Sequence, residues 1–168
     1  PCDNMAVMIS LQKIFGKDDK FFTLLEASAE EARRSVRALD RVLSTPQETP
    51  SLEAFHASKE ADKQICDQID EALVRRFVSQ LEREDIEALS FALYRIPKQV
   101  EKVVERLSIY PGQIPHSAFE RQADLMVQAA EAVLFMVKQL RGGTNMERIR
   151  EANDRLQFPI HRKFGFPL

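Results

Sequence analysis

One carboxylate stands on an otherwise apolar helical stripe: Leu52, Phe55, Asp62, Ile65, Ile69, Leu73 and Phe77 fall at helical spacing, with Ser58 and Cys66 beside the same line. A charge withdrawn from water in such a stripe needs a cation, hydrogen bonds or an exposed edge to compensate it, so Asp62 is the residue most in need of a partner. It is also the sole candidate for a carboxylate-based hydrolase or oxidase site. Glu53 and His56 have the spacing of ligands in di-iron carboxylate bundles, but that chemistry needs two copies of the pair and the chain has one. Leu52 and Phe55 take the inward positions, which leaves Glu53 and His56 on the flank.

The remaining reactive side chains do not assemble into a motif. His56, His116 and His161 lie far apart, and Cys2 and Cys66 form neither a CxxC nor a zinc spacing and have no histidine nearby in sequence. They read as free thiols of a reducing compartment. The glycines at 16, 112, 142, 143 and 165 make no phosphate-binding loop or dinucleotide fingerprint, and no GxSxG occurs. No catalytic residue is expected, and the chain reads as a non-enzyme. On the first long helix Glu30, Arg33, Arg34, Arg37, Asp40 and Arg41 lie at spacings that allow ion pairs three and four residues apart. That face reads as a phosphate-binding basic patch or as a solvated face or partner surface.

Amphipathic helices must position these groups. Ile86, Leu89, Leu93, Ile96, Val100, Val103 and Leu107 alternate spacings of three and four, the seam of a helix lying nearly parallel to others in a bundle. The first helix, expected after a break over residues 16–19, repeats the seam with Phe22, Leu25, Ala29, Ala32, Val36, Leu39 and Leu43. Thr49 and Pro50 read as the cap and first position of a second helix running to about Phe77. Ser79 with Glu82, Ser117 with Glu120 and Thr144 with Glu147 are capping boxes opening three more helices. Pro97 predicts a kink inside the third. The fourth reaches about Leu140, and the fifth, with seam Met146, Ile149, Asn153 and Leu156, is expected to close at Pro159.

At 168 residues, 44% hydrophobic and 30% charged, the chain can bury one core. With 24 basic against 26 acidic residues there is no field for nucleic acid, and no apolar run reaches a membrane span, so a cytoplasmic protein is expected. Residues 1–7 read as upstream sequence. Shifting the first helix's seam by 97 positions gives Phe119, Gln122, Met126, Ala129, Val133, Met136 and Leu140, a match that suggests an internal repeat. The expected architecture is all-α, with a first unit over about 18–110, a linker over 108–117, an incomplete second unit over about 117–158 and an irregular tail over 159–168. The incomplete unit suggests a truncated product with an out-of-frame tail from about Phe158, or a shortened protein whose last two helices pair with another copy in a homo-oligomer.

Read together, EADKQICDQIDEALVRRFVSQLEREDIEALSFALYRIPKQVEKVVERL and QKIFGKDDKFFTLLEASAEEARRSVRAL resemble the PhoU-like family of phosphate-transport accessory proteins. The resemblance covers roughly residues 9–157, and LEREDIEAL is its most specific part. It implies an antiparallel bundle of two pseudo-repeated three-helix units, here with the second incomplete. It also implies a non-enzymatic partner of a Pit-type inorganic phosphate transporter, acting at the cytoplasmic face of the membrane. Members of the wider family bind iron or zinc through an acidic residue followed four positions later by aspartate, once per unit. Asp62 matches the second position, but Ser58 stands at the first, and the second copy would fall past Gln157, where the chain reads Phe158, Pro159, Ile160, His161. Asp62 is therefore carried over either as an iron or zinc ligand or as a hydrogen-bonded structural carboxylate.

Overall fold

The computed structural model describes residues 3–44, 51–75, 81–109, 119–141 and 146–164, with side chains from 20 to 156 within these ranges. Five helices follow one another: α1 Asp3–Ser44, α2 Leu52–Val74, α3 Arg83–Ile109, α4 Glu120–Leu140 and α5 Met146–Phe164. No strand occurs among the described residues, and no helix is long and apolar enough to cross a membrane.

Two ends differ from expectation. The first helix does not begin after Gly16 but runs through it from Asp3. A lone glycine costs about 1 kcal/mol relative to alanine, which helix-tolerant neighbours on both sides can absorb. The tail is not irregular from 159 onward, since α5 continues through Pro159 to Phe164. Proline there forfeits the bond to the Arg155 carbonyl, and Arg155 is exposed, so water can take that acceptor. The linker also starts later than expected, because Ser108 and Ile109 are the last residues of α3.

The α2 cap is Ser51, in extended conformation and with no side-chain bond to the first amides; Thr49 and Pro50 lie outside the described residues. So do Ser79, Ser117 and Thr144 of the three capping boxes. Pro97 sits buried inside α3, which continues past it.

All the expected seam residues of α1 are buried. This helix is the hub: it packs against α2, α3 and α4, while α2 and α3 pack on each other and α5 packs only on α4 among the described residues. Two apolar clusters result. At one end Leu25 and Ala29 meet Ile69, Leu73, Ile86, Leu93 and Leu134. At the other, Val36 and Leu39 meet Phe55, Val100, Val104 and Ala130.

Past Val100 the α3 seam is displaced. Val103 is 39% exposed, whereas Val104 is fully buried and Glu101 is drawn inside. A straight helix drifts about 20° per heptad against a strict 3.5-residue repeat, so a long seam read at that period slides off the buried face. Leu52 on α2 and Met146 on α5 are likewise exposed, and Ala152 rather than Asn153 is the buried residue of α5.

On α4 the residues aligned by the 97-residue shift are half-buried or exposed, while Ala123, Ala130, Leu134 and Val137 are buried. The cause is local: α4 spends its most buried stripe on α1, and on its other side it has only α5 for cover. The all-helical bundle is thus present, with α1 as its hub and α4 packed along it.

Candidate functional site

Asp62 lies at the waist between the two apolar clusters. On α2 it falls between Phe55, which belongs to one cluster, and Ile69, which belongs to the other. Small polar residues fill the facing positions, with Ser28 and Ser35 of α1 and Ser90 of α3 all buried. The inward position foreseen from the stripe is reached completely, since Asp62 is 0% exposed.

The compensation such a position needs is missing. Neither carboxylate oxygen makes a hydrogen bond, and no cation pairs with it among the described residues. Burial pushes the Asp62 carboxyl up to about 6; the nearby Ser28 hydroxyl offsets part of that, and the negative charge of Glu31 adds to it. Asp62 is thus a buried acid that sits close to half-protonated in mildly acidic solution. Its neighbours along α2 are partnered instead: Ser58 Oγ donates to Glu31 Oε2 at 3.1 Å, and Cys66 Sγ accepts from Ser90 Oγ at 3.2 Å. Cys66 is a free thiol, and burial pushes its pKa up, so it stays protonated at neutral pH and is a poor nucleophile.

The donor set around Asp62 does not fit the iron or zinc site implied by the resemblance. Serine occupies position 58, and the groups near Asp62 are hydroxyls, a protonated thiol and one further carboxylate, Glu31, whereas iron and zinc sites take three or more carboxylate, imidazole or thiolate donors. Among the described residues no three His, Cys, Asp or Glu side chains are grouped so as to hold a metal ion.

A second polar cluster joins α2 to α3. Lys59 Nζ donates to Glu101 Oε2 at 2.9 Å, and His56 Nδ1 lies 3.0 Å from Glu101 Oε1. Burial would raise the Glu101 carboxyl, but the hydrogen bonds from Lys59 and His56 outweigh it and hold the group below the usual range. Lys59 is raised in turn, chiefly by the same bond. His56 remains largely exposed and Glu53 takes no part, so the Glu53 and His56 pair does not converge. Glu101 was not legible as an inward residue, because it follows Val100 on the seam and reads as the start of the polar face.

Glu101→Gln should therefore destabilise the fold by about 1–3 kcal/mol at neutral pH, the range for a charged hydrogen bond. A depressed carboxyl contributes its stability above its unfolded pKa and loses it as pH falls through the folded one. The deficit of the variant should shrink in acid, which urea titrations across the acidic range would follow.

The charged face of α1 is paired as its spacing foresaw and also across helices. Arg33 binds Glu30 one turn back and Glu131 of α4 at 3.2 Å, Arg37 reaches Glu131 at 2.5 Å, and Arg34 pairs with Glu31 at 2.5 Å. Arg141 ties the end of α4 to Glu26 at 2.9 Å. The bonds of Glu131 and Arg141 hold α4 on α1, and the arginine row stands at an open junction with α2. Comparison of the chain with protein-family models, curated proteins and solved structures finds no match.

Proposed function

We propose that the protein is a non-enzymatic accessory of inorganic phosphate transport that binds a Pit-type transporter at its cytoplasmic face. What supports this reading is the resemblance, in order, of the texts of the first three helices to the PhoU-like family, with LEREDIEAL as its most specific part. The all-helical bundle is compatible with it. In this reading the molecule acts by surface recognition, and its helices supply a stiff platform for charged faces. The initial rate of labelled phosphate uptake, in cells with and without the gene, tests it. A changed rate at unchanged transporter abundance is expected at low or high external phosphate. An unchanged rate at both concentrations would remove the transport role.

A metal-binding bundle is the second reading, favoured only by the unpaired Asp62 carboxylate. It requires further donors from a second copy of the chain or from residues outside those described. Elemental analysis of protein purified without chelators decides it: less than about a tenth of an iron or zinc per chain overturns the reading.

A further inference from the structure

A groove of about 580 Å³ opens along the outer junction of α1 and α2. One wall is cationic, formed by Arg33, Arg34, Arg37 and Arg41; the other is made of Ala54, Ala57, Ser58 and Ala61 beside the buried Phe55, and its short side chains leave the space open. Arg33, Arg37 and Arg41 stand four residues apart, so their row is about 12 Å long at 1.5 Å rise per residue. Arg34 and Arg37 are more than half exposed at the groove, and no ion pair holds Arg41 among the described residues.

The far wall adds to the same field. Ala54 and Phe55, in the first turn of α2, line the groove, and the N-cap Ser51 does not bond its hydroxyl to the amides of that turn. A helix start with amides not taken by its cap side chain favours negative charge. Against this stand Glu53 in that same turn, Glu31 within the groove, and Glu30 and Glu131, which pair with the groove's arginines. Arg34 and Arg37 are more than half exposed, and exposed pairs are worth about 0–1 kcal/mol, so a stronger anion can take these two guanidiniums over at small cost.

We infer that the groove is a binding site for a small anion carrying two or more phosphate groups. A guanidinium offers paired N–H donors that match phosphate oxygens two at a time, and a row of them engages several groups at once. A single phosphate would meet only part of the row. An acidic peptide is the poorer fit, because the opposite wall is short-chained, Ala54, Ala57, Ser58 and Ala61 beside a buried Phe55, and gives its other side chains little to pack into. As the effector site of a transport regulator the groove rests on the reading above, but its binding chemistry is measurable apart from it.

Calorimetric titration of the full chain with tripolyphosphate, at low and raised salt, tests the site. Binding that weakens with salt is expected, and Arg37→Ala and Arg41→Ala should each lower affinity about tenfold. Arg41 makes no ion pair among the described residues, so Arg41→Ala keeps the fold intact, as an unchanged melting temperature will confirm. Glu31→Gln should tighten binding by removing the competing carboxylate. Absence of binding, affinity indifferent to both arginine variants, or equal displacement by polyglutamate would each overturn the inference. Loss of binding leaves the transport reading standing; binding without any effect of the gene on uptake retains the groove and removes the transport role.

Discussion

Asp62→Asn is expected to stabilise the protein at neutral pH and to do so less and less as the solution is acidified. Burial raises the Asp62 carboxyl from 3.8 to about 6, so the folded state binds its proton more tightly than the unfolded chain does. The ionised form is the one the fold disfavours. For such a group stability is greatest below the unfolded pKa, declines as pH rises from there to the folded pKa, and is level above it. The full rise corresponds to about 3 kcal/mol, and about 2 kcal/mol of that develops between pH 4 and pH 7. Asparagine keeps the shape and cannot ionise, so the advantage of the variant over the parent should grow by about 2 kcal/mol across that range. For a chain of this size the change amounts to roughly 4–8 °C in melting temperature. Thermal melts of the two proteins at several pH values would check it, and parallel pH profiles would mean that the carboxyl is not held away from water. The trend is opposite in sign to that of Glu101, whose charge is welcomed by Lys59 and His56.

Leu25→Ala should cost about 2–5 kcal/mol, the range for truncating a fully buried leucine. Leu25 is 0% exposed and belongs to the cluster in which residues from four helices meet. Because α1 packs on α2, α3 and α4, no single neighbour can slide in to fill the cavity without losing its contacts elsewhere. The same truncation at half-buried Ile149 on α5 should cost far less, since α5 has one partner among the described residues. Urea midpoints for the two variants give the comparison. A Leu25 deficit no larger than that at Ile149 would contradict the placement of the hub.

Apolar spacing carried most of the fold. The α1 seam is read without error because its leucines, valine and alanines recur on one face and every neighbour covers that face. The α3 seam is read well through Val100 and then slips from Val103 to Val104, beside the buried Glu101. On α4 the pattern shared with α1 is present in the text but is not the deepest stripe, because burial depends on which helices arrive and not on the helix alone. The inward place of Asp62 was legible from the stripe, whereas its lack of partners was not, since that depends on the serines and the carboxylate which α1 and α3 bring to the waist. Glu101 joined Lys59 and His56 across 42 and 45 residues, a distance at which a single helix's periodicity is silent.

The bonds between α1 and α4 have a consequence for assembly order. Arg33 meets Glu131 across 98 residues and Arg141 meets Glu26 across 115, while Ser58 meets Glu31 across only 27. Loop-closure entropy grows with the length enclosed and must be met before distant contacts return any energy. The α1, α2 and α3 unit can therefore gather on short loops first. The hairpin of α4 and α5 then docks onto a surface already built, and its outer helix is the part of the molecule that opens with least disturbance to the rest.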